Sequence, residues 1–196
     1  MDEHELDADP LIQLQAWLDE AGRAVPLPEA MTLATVGQDG RPSARVVLLR
    51  GIDERGLTFF TNRASRKGDE LRVSPHAALV LHWWELGRQV RVEGGVEETS
   101  FEDSEAYWVW RPRASRIAAW ASPQSTVLTD RADLEARVAE AEARFEGAEV
   151  PLPPFWGGYR VVPDVIEFWR HDGDRLHDRI RYVREGNGWR RERLAP

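Results

Sequence analysis

With 196 residues, 42% of them hydrophobic and 31% charged, the chain has the composition of one globular domain large enough to bury a core. The absence of cysteine excludes disulfides and thiolate metal sites, and a formal charge of -8 argues against a general nucleic-acid binder. No apolar run reaches the ~18 residues of a membrane helix and no signal-peptide pattern opens the chain, so a soluble, cytoplasmic protein is expected.

Residues 1–8 read as an acidic, disordered tail and residues 9–196 as a single domain. Asp9-Pro10 forms an N-cap and first helical position, followed by Leu11, Leu14, Trp17, Leu18 and Ala21 at helical spacing and a stop at Gly22. Strand-type patterns run over Met31–Val36 and Ser43–Arg50, joined by a turn at Asp39-Gly40. The apolar run Val46-Val47-Leu48-Leu49 predicts burial on both faces. Leu57–Thr61 is a strand, Arg66–Val73 a short helix stopped by Pro75, and Ala77–Trp84 with Gln89–Glu97 a second strand pair. Thr99 and Glu102 suggest a capping box for a helix over Ser100–Trp110, Pro112 interrupts, and Ser115–Ala121 makes another. Leu134, Val138, Ala141 and Phe145 mark one stripe of a helix over Asp130–Glu146. After Pro151, Pro153 and Pro154 come strands at Tyr159–Val162, Val165–Trp169, Arg179–Arg184 and Trp189–Leu194. Antiparallel strands with short turns point to an α+β domain built on a small barrel.

Charge is unevenly spread. Residues 1–30 carry eight acidic side chains against Arg23, whereas 170–193 holds Arg170, Arg175, Arg179, Arg181, Arg184, Arg190, Arg191 and Arg193. Period-2 alternation puts Arg175, His177 and Arg179 on one face, where they either hold an anion or pair with Asp172, Asp174 and Asp178. A second basic set is Arg45, Arg50, Arg66 and Lys67, the last being the chain's one lysine; with Ser65 at a helix start it makes a phosphate seat. Tyr107, Arg111 and Ser115, four residues apart, make a second. Nine tryptophans beside these sets suggest an aromatic phosphate ligand. No G-x-S-x-G, P-loop or H-E-x-x-H occurs, and His4, His76, His82, His171 and His177 lack metal-ligand spacing, so no metal site is expected.

The segments RVVLLR (Arg45–Arg50), FFTNRASRK (Phe59–Lys67), RQVRVEG (Arg88–Gly94), YWVWRPRAS (Tyr107–Ser115), AWASPQS (Ala119–Ser125), PPFWGGYRV (Pro153–Val161), IEFWRHDGDRLHDR (Ile166–Arg179) and the terminal RLAP follow one another in this order. Together they resemble the pyridoxamine (pyridoxine) 5'-phosphate oxidase family from Asp9 to Pro196. The resemblance implies an antiparallel split β-barrel with flanking helices, working as a homodimer with one FMN at each of two subunit interfaces. By position, it implies FMN contacts from Arg45, Val46, Val47, Leu48, Leu49, Arg50, Phe60, Thr61, Arg66, Lys67, Gln89, Gln124, Ser125, Trp169 and Arg179. Arg66 and Lys67 are assigned to the flavin phosphate. Substrate contacts fall to Arg50, Tyr107, Arg111, Ser115, Arg175, Leu176 and His177. Of these, Arg175 positions the pyridine and His177 serves as hydrogen-bond partner or proton relay. The implied chemistry is hydride transfer from the exocyclic carbon of a phosphorylated pyridine to the flavin, with dioxygen as acceptor and hydrogen peroxide as product.

The chain departs from the family pattern in three places. Arg50 stands where lysine is usual, Arg116 and Ala118 stand where Gln and Gly are common, and the acidic first eight residues offer no Arg or Tyr to close over the substrate. Two alternatives are a phenazine-biosynthesis-type FMN oxidase and a non-catalytic flavin-binding split barrel.

Overall fold

The computed structural model describes Met1 and residues 5–196. Helix α1 spans Pro10–Ala21, and Asp9 caps it by accepting from the Leu11 N–H at 2.8 Å. Its Leu11, Leu14 and Trp17 are buried against the sheet, each worth ~1.5–3 kcal/mol of apolar burial. Trp17 meets Phe168 edge-on at 5.0 Å and carries the Arg88 guanidinium on its ring at 4.6 Å. Of the tail expected over residues 1–8, His4 and its two predecessors lie outside the described residues. The rest packs: Leu6 is buried, its carbonyl accepts from Arg191, and the Asp7 carbonyl accepts from the Tyr182 hydroxyl at 2.8 Å.

Among the described residues, nine antiparallel strands form one curled sheet: β1 Ala30–Val36, β2 Pro42–Leu48, β3 Gly51–Asp53, β4 Gly56–Asn62, β5 His76–Trp83, β6 Arg88–Glu98, β7 Trp156–Arg170, β8 Asp178–Glu185 and β9 Gly188–Arg193. The order is β2-β1-β5-β6-β7-β4-β3, with β8 and β9 branching from β7. The first half of β7 pairs with β4 and its second half with β8, while β6 runs beside both halves. The sheet therefore divides at β7. Its concave face holds Leu33, Leu79, Val92 and Ile166 in one register row, all fully buried.

Where two strands were expected over Tyr159–Trp169, β7 is continuous through Pro163. Proline lacks the N–H a ladder needs, and the register shift at Glu93/Gly94 on β6 accommodates it. Gly94 is required there, since a Cβ would stand 2.0 Å from the Val162 carbonyl oxygen.

Helix α2, Arg66–Val73, spans the expected residues. A second layer covers one end of the sheet with α3 Phe101–Trp110, α4 Arg113–Ala121 and α5 Arg131–Arg144, packed around Trp108, Ile117, Phe145 and Trp156. Ser100, not Thr99, caps α3 by accepting from the Asp103 N–H at 3.0 Å. Thr99 instead lies within 3.1 Å of the Ser104 hydroxyl. The run Val46–Leu49 is not buried on both faces. Strand β2 is the edge of the sheet within one chain, Val46 is 67% exposed, Leu49 is buried in the core and Val47 packs against it half-buried.

Candidate functional site

A cleft of about 260 Å³ opens between β2, β4, α2 and the α3–α4 junction. It gathers Arg45, Val46, Val47, Leu48, Arg50, Phe60, Thr61, Lys67, Tyr107, Arg111 and Gln124, residues spread over 80 positions of the sequence. A second cavity of about 350 Å³ shares Phe60, Thr61, Arg111 and Gln124 with it and adds Ser115, Ala118 and Trp156. Two of the basic sets seen in the sequence thus face one continuous space.

At one end lies a buried ionic cluster. Glu70 Oε2 accepts from Thr35 Oγ1 at 2.5 Å, Ser43 Oγ at 2.7 Å and Arg45 Nη2 at 2.9 Å, while Oε1 accepts from Arg66 Nε at 2.8 Å. Burial alone would raise the Glu70 pKa; the bonds from Thr35, Ser43, Arg45 and Arg66 outweigh it and bring it down to about 2. Lys67 donates to Gln124 Oε1 at 2.6 Å, Ser65 Oγ at 3.0 Å and Thr61 Oγ1 at 3.2 Å. Burial, reinforced by the Arg45 charge, pushes the Lys67 pKa down to about 8, against the opposing pull of Glu70. Ser65, the N-cap of α2, donates its hydroxyl to the Asn62 carbonyl and leaves the first helical N–H groups without a side-chain cap. Uncapped N–H groups beside a desolvated cation form an anion seat.

At the other end, α3 stops at Trp110 and Arg111 takes extended backbone geometry before Pro112. Tyr107, Arg111 and Ser115 therefore converge from two helices and the bend between them rather than along one helix face. Arg111 Nη2 donates to the Ser115 carbonyl at 3.2 Å, and its guanidinium lies 4.9 Å from the Trp156 ring centroid. Arg50 meets Glu29 at 3.4 Å.

Three expected residues are not among those lining the cleft. The Leu49 side chain is in the core and its N–H donates to the Glu29 carbonyl at 2.9 Å, so it offers the cleft neither. Arg66 leans out to solvent, 66% exposed, held by Glu70. Ser125 follows Gln124 in a turn at φ 73°.

The remaining expected residues assemble at the far end of β7. Gln89, Trp169 and Arg179 stand in register across β6, β7 and β8, facing away from the buried row Val90, Phe168 and Ile180. Arg179 forks onto Glu167 at 2.8 and 3.1 Å. Arg175 and His177 do not alternate along a strand, because β8 begins only at Asp178. They occupy a turn closed by the Arg175 N–H on the Asp172 carbonyl, with Arg175 at φ 61° and Leu176 exposed. His177 Nδ1 accepts from the Asp172 N–H at 3.1 Å, and its ring rests 4.7 Å from that of Trp169. None of the described ion pairs joins Arg175 or His177 to Asp172, Asp174 or Asp178.

The cleft at Gly157 and the cluster at Trp169 are twelve residues apart on β7, up to ~40 Å on a straight strand. Neither cavity is lined by a residue of the second group. Sequence reasoning passed over Glu70, Thr35 and Ser43, which set the arginine geometry, and Trp156, which shapes the second cavity; their partners are too distant in sequence for spacing to reveal.

The curled antiparallel half-barrel, with helices on one end and a cationic cleft beside the sheet edge, is a split barrel. The family "Pyridoxamine 5'-phosphate oxidase" matches residues 18–145, and "Pyridoxine 5'-phosphate oxidase C-terminal dimerisation region" matches residues 156–196. The chain is 54% identical over 200 residues to a "Pyridoxine/pyridoxamine 5'-phosphate oxidase" of Burkholderia vietnamiensis, covering all of this chain and 93% of the relative. It is 56% identical over 191 residues to one of Rubrobacter xylanophilus, covering 97% and 88%. The chain belongs to the pyridoxamine 5'-phosphate oxidase family. Among solved structures, PhzG of Burkholderia lata, crystallised with tetrahydrophenazine-1-carboxylic acid, superposes with a TM-score of 0.92 at 39% identity, over 98% of this chain and 95% of that one. An FMN-binding protein of Nostoc punctiforme shares the fold with a TM-score of 0.76 at 21% identity, over 97% and 100%.

Proposed function

We propose that the chain is an FMN-dependent oxidase that converts pyridoxamine 5'-phosphate, pyridoxine 5'-phosphate or both to pyridoxal 5'-phosphate, with dioxygen as acceptor and hydrogen peroxide as product. The observation that carries this reading is two separate anion seats on one cavity: Lys67 with the α2 N-terminus, and Arg50 with Tyr107 and Arg111. A flavin mononucleotide and a phosphorylated pyridine each carry one phosphate, so the donor set fits the pair.

When bound, FMN supplies the hydride acceptor and the route to dioxygen. The chain supplies binding and orientation. Lys67 and the free N–H groups of α2 take the flavin phosphate, and Gln124 and Thr61 hold Lys67 toward it. Arg50, Tyr107, Arg111 and Ser115 take the substrate phosphate. Arg175 and His177 complete the site from the other subunit of a homodimer. The separation of the two groups along β7 supports this, as does the match to a dimerisation region. The bond from Asp172 to Nδ1 leaves Nε2 of a neutral His177 as the proton-bearing nitrogen, which suits donation of a hydrogen bond to the substrate.

The test is the purified protein's visible spectrum, the identity of any flavin released by heat, and peroxide release on adding each phosphorylated pyridine. A protein that binds FMN and releases peroxide with either substrate supports the reading. Turnover of tetrahydrophenazine-1-carboxylic acid alone would favour the activity suggested by the PhzG neighbour, and a yellow protein inert to all three compounds would favour a flavin carrier.

A further inference from the structure

Two of the cleft's arginines border a cluster of three aromatic rings. Phe60 and Tyr107 stack with centroids 4.2 Å apart at 12°, and Phe60 and Trp156 lie 5.5 Å apart at 9°. Tyr107 and Trp156 are 6.0 Å apart at 5°, so all three planes are nearly parallel. Arg50 Cζ is 6.0 Å from the Tyr107 centroid and Arg111 Cζ is 4.9 Å from that of Trp156. The rings come from β4, α3 and β7, three elements that meet only in the folded chain.

The ring cluster is braced by Trp108. Trp108 meets Trp156 edge-on at 4.9 Å and also lies 5.6 Å below Arg111, and its indole N–H donates to the Val150 carbonyl at 2.8 Å. Gly158 lets Phe60 approach β7; a Cβ there would stand 2.8 Å from the Phe60 ring. Arg111 Nε is buried without a hydrogen-bond partner, its Nη2 is held by the Ser115 carbonyl, and the guanidinium lies near the Trp156 and Trp108 rings. Burial presses its pKa downward, yet a guanidinium in this setting stays charged.

We infer that Phe60 and Trp156 are positioning residues that set the separation and tilt of Arg50 and Arg111 for a phosphate monoester, an inference that rests on the assignment of these arginines to the substrate phosphate. Forked recognition of a tetrahedral anion is sensitive to guanidinium orientation, and ring contacts constrain that orientation while leaving for the anion the donors not held by Ser115 and Glu29.

The experiment compares flavin-loaded wild type with Trp156→Leu and Trp156→Phe. Dissociation constants for pyridoxal 5'-phosphate and for unphosphorylated pyridoxal are read from perturbation of the flavin spectrum. Trp156→Leu is expected to weaken the phosphorylated ligand about tenfold and the unphosphorylated one less than about twofold, a range set by one cation–π contact. The loss should appear in KM rather than kcat, and Trp156→Phe should recover most of it. If Trp156→Leu does not fold, Trp156→Phe carries the test through a smaller, phosphate-selective loss of about two- to threefold. Equal weakening of both ligands, or of neither, overturns the inference. A wild type that does not distinguish the two ligands would remove the assignment of the arginines themselves, and the inference with it.

Discussion

In a Glu70→Gln variant, the carboxylate that accepts from Thr35, Ser43, Arg45 and Arg66 becomes a neutral amide of the same shape. The native carboxyl is 6% exposed and titrates near 2 instead of its ordinary 4.5. At about 1.4 kcal/mol per pKa unit, that difference corresponds to about 3 kcal/mol of folding stability. The figure is an upper estimate, because Arg66 is mostly in water and solvent screens its share. The sign follows from the depressed value. The contribution is complete above pH 4.5, where the unfolded carboxyl is also ionised, and disappears as pH falls through 2. Urea unfolding of the flavin-free protein, followed by tryptophan fluorescence at several values between pH 2.5 and 7, measures both quantities. Wild type should lose stability over the acid range relative to Glu70→Gln, and the variant should be weaker by up to about 3 kcal/mol at pH 7. Parallel pH profiles with less than about 0.5 kcal/mol between them would refute the view of Glu70 as a buried, paired anion.

Other outcomes follow from the same geometry. Lys67 titrates near 8 when the cleft holds no anion, and a phosphate beside it favours the charged form. FMN affinity of the flavin-free protein should therefore fall by up to about tenfold per pH unit above 8; a flat profile to pH 9.5 would remove Lys67 from the phosphate seat. Arg175→Ala should reduce turnover by at least about a hundredfold with flavin content unchanged, and loss of flavin instead would show that Arg175 holds the cofactor. Mixing inactive Arg111→Ala and Arg175→Ala proteins under subunit exchange should restore about a quarter of wild-type activity, since half the dimers then carry one intact shared site. No recovery, with exchange shown by mass spectrometry, would mean that each chain builds its site alone. Gly158→Ala places a Cβ 2.5 Å from Thr99 Oγ1 and should cost about 1–3 kcal/mol in thermal or urea unfolding; a neutral change would show that Phe60 has room to move.

Much of the fold could be read from local signals because its punctuation is strong. Asp9-Pro10 begins α1 and Ser65 with Pro75 brackets α2, since caps and prolines act over three or four residues. Failures came where distant partners decide. Pro163 ordinarily argues against a central strand, and only the register shift on β6 shows why β7 runs through it. Val46–Leu49 has the composition of a buried strand yet sits at the sheet edge within one chain. For the site, residue types carried the two anion seats, and the structure adds their convergence on one cavity. The turn holding Arg175 and His177 was misjudged as strand because alternation in RLHDR matches a two-residue period, while the Asp172 bonds that make the turn leave no periodic mark.

The solitary lysine has a practical meaning beyond phosphate binding. With every other Lys/Arg side chain an arginine, amine-directed reagents find one ε-amino group in the entire chain, and it lines the cleft. If FMN binds as proposed, an acylating or aldehyde label reaches this lysine more slowly in flavin-loaded than in empty protein. Crosslinking or immobilisation through lysine would strike the cleft, which Arg45, Arg50 and Arg111 also line, whereas carboxylate-directed coupling avoids its lining residues.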